Sequence, residues 1–231
     1  MREKLTKSGI KTFLAPMIWI IITGLVFFLA SGEINNLRVW IYIGVYALGG
    51  LIIGVILKKK SPKLLNDRGK KQEGTKQFDK YILLAYFIFA IIITPFIAGI
   101  DKRLHLSDAM PFYYLYVGII LYVVSAVFST WAMLHNPFFE GTVRIQKDKN
   151  HNVMNTGPYK IVRHPGYLGM LAGSIALPFA LGSIFSLTSL IIMILLIVIR
   201  TYYEDTTLQK ELIGYSEYCN KVKYRLIPFI W

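Results

Sequence analysis

Cysteine is almost missing from this 231-residue chain: Cys219 stands alone near the C-terminal end. No disulfide framework and no multi-cysteine metal site can therefore form within one chain, and a buried or idle thiol is the reading left for it. Charge is also scarce, at 17% of residues against 55% hydrophobic. That is too apolar for a soluble domain of this length and marks a membrane protein. Acidic residues are the scarcer sign, 13 against 26 basic. The basic excess does not point to nucleic acid, because it lies between apolar spans near the lipid surface, where anionic headgroups are the natural partner. No internal repeat is present.

What is abundant is apolar sequence in runs long enough to cross a bilayer, which takes about 17 to 25 residues as a helix. Six spans are expected, at Phe13 to Ala30, Val39 to Leu57, Tyr81 to Ile100, Pro111 to Leu134, Tyr167 to Leu181 and Ile184 to Ile199. The fifth is short and contains Pro178, which predicts a kinked, tilted or incomplete crossing. The first is read as a retained span, being long for a signal peptide and followed by only a weak cleavage-like Ala30-Ser31-Gly32. Basic residues split 23 to 3 between the two sides that this placement defines. By the positive-inside rule both termini belong in the cytoplasm, and Asp101 to Ser107 on the other side.

The first two spans carry no ionisable residue, but Gly44, Gly49, Gly50 and Gly54 permit close helix approach. Lys58 to Lys80 reads as a solvated, surface-lying linker. It divides an accessory part, residues 1–79, from residues 80–231, which hold every candidate site residue. Beyond the fourth span, Thr142 to Gln146 alternates polar and apolar residues, an extended pattern. His135 and Asn136 read as an interfacial cap, and Tyr113, Tyr114 and Tyr116 as an interfacial aromatic belt.

The most informative stretch is Gly157 to Gly169, polar, glycine-rich and aromatic between two apolar regions. Gly157-Pro158 opens a turn, and Pro165 presets a helix that begins beside Arg163 and His164. A helix start offers unpaired N–H groups and partial positive charge, so an anionic group is at home there. The last two spans are joined tightly at Gly182-Ser183 and must form a hairpin, which brings Arg200 and Glu204 near Arg163 and His164. Four residues separate Arg200 from Glu204, placing them on one helical face. By themselves they would be an exposed helical ion pair worth about 0.3–0.5 kcal/mol. Their convergence with Tyr159, Tyr167 and several glycines argues for a site.

At these residues the chain resembles the isoprenylcysteine carboxyl methyltransferase family, which is related to the phospholipid methyltransferases. The resemblance runs from about Trp131 onward, through His151 to Met154, Gly157, Tyr159, Arg163 to Tyr167, Gly169, Arg200, Glu204-Asp205, Leu208, Tyr215, Tyr218, Val222 and Arg225-Leu226-Ile227-Pro228. It implies an all-α polytopic membrane protein with a C-terminal helical hairpin, a cytoplasmic pocket for S-adenosylmethionine, and no metal. By position it implies that Gln146, His151, Asn152, Val153, Met154, Tyr159, His164, Pro165, Gly166, Tyr167 and Glu204 line the cofactor site. Arg200 would hold the methyl acceptor, and Arg200 with Glu204 would act in catalysis. The acceptor implied is a lipid-like or prenylated small molecule, such as the carboxylate of a prenylcysteine. Asp205 stands where many relatives have a second Glu, and Gly166 where the prenylcysteine enzymes often have Ser. Two alternatives stay open: a phospholipid amine N-methyltransferase, and an NADPH-dependent reductase, since membrane sterol reductases resemble the same C-terminal region.

Overall fold

The computed structural model describes residues 3–231, and no strand occurs among them. Helix α1 (Lys7–Ser31) is capped by Thr6, whose hydroxyl accepts from Gly9 N at 3.3 Å. It ends at Gly32, in the left-handed conformation that glycine adopts without a Cβ penalty. Helix α2 (Leu37–Lys60) is capped by Asn36 and closes on Lys58, Lys59 and Lys60, cations that complement the negative end of the helix dipole. Helix α4 (Gln77–Ile88) runs through one π turn at Phe89–Ile93 into α5 (Thr94–Leu104). Pro95 has no N–H to continue the α ladder, and the helix widens just ahead of it. Thr94 Oγ1 donates to Phe89 O across the widened turn at 2.8 Å.

Helices α6 (Tyr113–His135), α7 (Pro165–Leu181) and α8 (Leu187–Glu211) follow, with the short α9 (Tyr215–Lys221) after them. Among the described residues five helices are long and apolar enough to cross a membrane: α1, α2, the continuous α4–α5 helix, α6 and α8. The protein is thus a multi-pass membrane protein, with Leu29, Ile120 and Ile191 among its outward-facing aliphatic side chains. Helix α7, the expected fifth span, has 17 residues, or about 25 Å at 1.5 Å per residue. That is short of a hydrocarbon core about 30 Å thick. It is also the helix most enclosed by protein, and it packs antiparallel to α6 through small residues. A Cβ on Gly118 would lie 2.8 Å from Ala180 N, and one on Gly173 would lie 2.9 Å from Ser125 Oγ. The last span begins at Leu187 instead of Ile184, after a turn held by Ser183 and Ser186.

The linker departs from its sequence reading. Pro62–Arg68 forms a helix, α3, that buries Leu64, Leu65, Asn66 and Asp67. Asn66 Oδ1 accepts from Thr6 N at 2.9 Å, and its amide donates to Lys4 O at 3.1 Å, so α3 is pinned under the start of α1. The stretch reads as polar because its buried members satisfy backbone groups, which polarity alone does not distinguish from solvation. In α2, Gly49, Gly50 and Gly54 meet Tyr122, Met17 and Phe13, whereas Gly44 faces open space. A core of Phe27, Val39, Tyr42, Leu115, Leu177 and Leu181 joins α1, α2, α6 and α7. Contacts therefore cross the 79/80 division: α1 packs on α5, and α2 on α6.

Candidate functional site

The mouth of the α7–α8 hairpin is closed by the C-terminal tail. Arg163 N and His164 N donate to Tyr224 O and Arg225 O, each at 2.9 Å, a short extended pairing just ahead of Pro165. Beneath it lies Asp205, fully buried on α8. Arg163 Nη2 at 3.0 Å, Arg225 Nε at 2.9 Å and Gln209 Nε2 at 2.9 Å donate to its Oδ2. Tyr215 OH at 3.0 Å and His164 Nε2 at 3.1 Å donate to its Oδ1. Arg163 Nε is 2.9 Å from Oδ1 but out of line for a hydrogen bond, so that contact is electrostatic only. A buried carboxylate with five donors knots motif, helix and tail together.

One residue earlier, Glu204 accepts a short hydrogen bond from Tyr167 OH, and its Oε1 lies 3.9 Å from His164 Nδ1. With Nε2 donating to Asp205, the His164 ring turns its Nδ1 toward Glu204. The His164 and Tyr167 rings stack at 5.6 Å. Arg200 does not pair with Glu204, although the spacing allows it. Its Nε donates to Asp79 Oδ1 at 2.6 Å, and its Nη2 to Asp79 Oδ2 at 3.3 Å and to Gly141 O at 2.8 Å. The guanidinium lies 4.9 Å over the Tyr167 ring.

The segment between α6 and α7 is irregular, not strand-like, and folds over this hairpin mouth. Gln146 is buried. Its Nε2 donates to Phe138 O at 2.7 Å, and its backbone N donates to His151 Nδ1 at 3.4 Å. Gln146 Oε1 is buried with no hydrogen-bond partner among the described residues, an arrangement that costs about 1–3 kcal/mol unless a donor arrives. The His151 ring packs on Phe138 with centroids 4.5 Å apart, and burial lowers its pKa, with the positive Arg144 adding to the effect. Val153 packs on the Leu212, Tyr215 and Tyr218 cluster. Tyr159 is buried, with its hydroxyl accepting from Asn136 Nδ2 at 3.1 Å and its carbonyl accepting from Tyr218 OH at 2.6 Å. Burial pushes the Tyr159 phenol up. Met154 is half-buried, and Asn152 is exposed with no side-chain hydrogen bond among the described residues.

The structure thus gathers His164, Pro165, Gly166, Tyr167, Glu204 and Arg200 at one hairpin mouth, with Gln146 and His151 in the loop covering it. A Cβ on Gly166 would lie 2.5 Å from the Phe139 ring, so the loop seats directly on the helix start. Two buried acids lay outside the candidate list. Asp79 is legible only as a lone acid between Lys76 and Lys80, and its partner is 121 residues away. Asp205, named in sequence only for the residue it replaces, proves to be the centre of the knot.

A cavity of about 360 Å³ lies beside the loop, between α3 and the end of α6, with Leu64, Asp67, Met133, Phe138 and Lys149 among its walls. A second of similar volume, at the other end of the molecule, includes Arg38, Asp101 and Lys102. Neither is lined by Tyr159, His164 or Glu204. Among the described residues no group of three His, Cys, Asp or Glu side chains is placed to hold a metal.

A multi-pass membrane protein with a polar site buried at one hairpin mouth is the class that fold and site define. Residues 118–210 match the model of the Isoprenylcysteine carboxyl methyltransferase (ICMT) family, and over that segment the chain is similar to it. The match covers most of α6, the loop, α7 and nearly all of α8, and stops short of Tyr215 and Arg225. No curated protein matches the chain. That match supports a membrane methyltransferase.

Proposed function

We propose that this protein transfers a methyl group from S-adenosylmethionine to a carboxylate on a lipid-like acceptor, at the cytoplasmic surface of the membrane. The observation that carries the proposal is Gln146 Oε1, a buried acceptor without a partner in the loop that covers the His164 helix start. An acceptor of this kind fits the amino or hydroxyl donors of an adenosine group. Gln146, His151, Val153, Met154 and Tyr159 would hold the nucleoside from the loop side, with Asn152 at the exposed rim. Glu204, whose Oε1 lies 3.9 Å from His164 Nδ1, would receive the ammonium of the amino-acid portion.

When bound, S-adenosylmethionine supplies an electrophilic methyl group on a sulfonium, taken by a nucleophilic oxygen in one displacement. A carboxylate nucleophile carries no proton to remove, so the protein need only align it and exclude water, effects that together supply about 7–11 kcal/mol. Arg200 serves that alignment. Its Nη1 makes no hydrogen bond among the described residues, and its charge lies against the Tyr167 ring in a buried setting. Access for an apolar acceptor runs sideways between helices, with α7 as a sixth, short membrane element. The 23-to-3 basic split favours both termini and the site in the cytoplasm, with anionic lipid headgroups as partners of the basic face.

The test is calorimetry on the purified protein with S-adenosylmethionine, S-adenosylhomocysteine and NADPH, followed by transfer of radiolabel from the cofactor to a lipid extract. Binding of the first two and alkali-labile labelling of lipid, as a methyl ester gives, are expected. Tight NADPH binding without the others would replace the proposal by the reductase reading, and alkali-stable label by the amine reading.

A further inference from the structure

The guanidinium assigned to the acceptor already has one of its edges occupied. Asp79 stands in the first turn of α4, outside the 118–210 family segment, with no exposed surface. Its two oxygens take Nε and Nη2 of Arg200, and Oδ2 also accepts from Val143 N at 2.8 Å. Around this contact the loop is laced to the start of α4, Lys76 N donating to Val143 O at 3.0 Å and Thr75 Oγ1 to Thr142 Oγ1 at 3.1 Å, and to α8, where Arg200 Nη2 donates to Gly141 O. A guanidinium rotates freely about its stem unless an edge is gripped, and a two-point carboxylate grip fixes its plane as well as its position.

We infer that Asp79 is a positioning residue for methyl transfer: it occupies the Nε–Nη2 edge of Arg200, so the acceptor carboxylate meets Nη1 only, on the Tyr167 side. The inference rests on the carboxylate-acceptor reading above and adds a residue that the family segment does not contain. It also changes the meaning of the two-point fork. In this protein the fork is used on Asp79, and the acceptor meets a single nitrogen, Nη1, of a charge that a neighbouring carboxylate already offsets. Electrostatics favours an acceptor drawn in by its apolar part and aimed by Arg200. A structural ion pair that happened to lie here would make no such distinction between affinity and turnover.

The test uses the full-length protein in lipid nanodiscs, with an N-acylated S-farnesylcysteine as acceptor probe. Asp79→Asn removes the charge, and Asp79→Glu keeps the charge but moves it by one methylene; the second decides the question if the first does not fold. Turnover is expected to fall at least tenfold in each folded variant, while acceptor KM and S-adenosylhomocysteine affinity stay within threefold of wild type. Turnover within threefold of wild type in Asp79→Glu overturns the inference, as does a parallel loss of cofactor affinity, acceptor affinity and turnover. An independent readout needs no turnover. One arginine Nε–H resonance should be strongly deshielded and slow to exchange, and should vanish in both Arg200→Lys and Asp79→Asn; its persistence in Asp79→Asn overturns the clamp. A wild-type protein that transfers no methyl group defeats the functional reading, and this resonance still reports on the clamp separately.

Discussion

His164 and Asp205 lie 41 residues apart in sequence and share a hydrogen bond of 3.1 Å inside the protein. The bond fixes the imidazole just ahead of α7 to the carboxylate that also holds Arg163, Arg225, Gln209 and Tyr215. Replacing Asp205 by Ala leaves the buried Arg163 and the half-buried Arg225 without their anion, a change that costs about 3–5 kcal/mol. Asp205→Ala is expected to release the tail, giving fast hydrogen exchange at residues 222–231 and early protease cleavage there. Exchange at those amides equal to wild type would refute the knot.

Gln146 gives a milder and more specific outcome. Gln146→Met preserves volume and removes the bond to Phe138 O together with the proposed one to the cofactor, so S-adenosylhomocysteine affinity should fall about tenfold, the equivalent of a hydrogen bond of about 1.4 kcal/mol. Isothermal titration of the folded variant measures it. Affinity equal to wild type would mean that the unpartnered oxygen serves no ligand.

The loop around His151 should loosen in mild acid. Burial, helped by Arg144 and opposed by Glu140, lowers the His151 pKa below its ordinary 6.5. The unfolded loop therefore binds the proton more readily than the folded one, and stability rises with pH across the interval from the lowered value up to about 6.5. Protection of the Gln146 amide, which is donated to His151 Nδ1, taken relative to the intrinsic exchange rate at each pH, should weaken as pH falls through that interval. The pH dependence should disappear in His151→Phe; an identical dependence in that variant would assign it to another group.

Gly166 is the position where the prenylcysteine enzymes often have Ser, and here the space is filled. A Cβ would approach the Phe139 ring to 2.5 Å, and that ring carries Arg68 at 5.2 Å. Gly166→Ser should displace the ring and cost about 1–3 kcal/mol by overpacking. Turnover should fall with it, and Phe139→Leu in the same chain should restore part of both. Undiminished thermal stability in Gly166→Ser would show that the ring yields without cost.

Much of this molecule was legible in its sequence because hydrophobic length and charge asymmetry are local properties. Five spanning helices, the short α7 with its helix start at Pro165, and the hairpin turn at Gly182 each depend on a few adjacent residues. The residues that resemble the methyltransferase family also cluster along the chain, and most of them meet at the hairpin mouth. Local spacing misleads where a charge has a choice of partner. Arg200 and Glu204 are correctly spaced for a helical pair, yet Arg200 turns to Asp79 because α4 brings in a carboxylate that grips two nitrogens in a buried setting, whereas a pair along α8 would be a single contact.

Only the tertiary structure decided that α3 is buried, that Asp205 gathers five donors, and that Gln146 Oε1 has none. Burial of a polar group is set by what other segments bring to it. A lone acid between lysines, a proline-led turn and a glutamine in a polar loop look the same in sequence whether they face water or one another. The fold separates these cases through the cost of leaving a buried charge or carbonyl without a partner. That cost is met at Asp79 and Asp205 by distant arginines, and remains open at Gln146, where the proposed cofactor would enter.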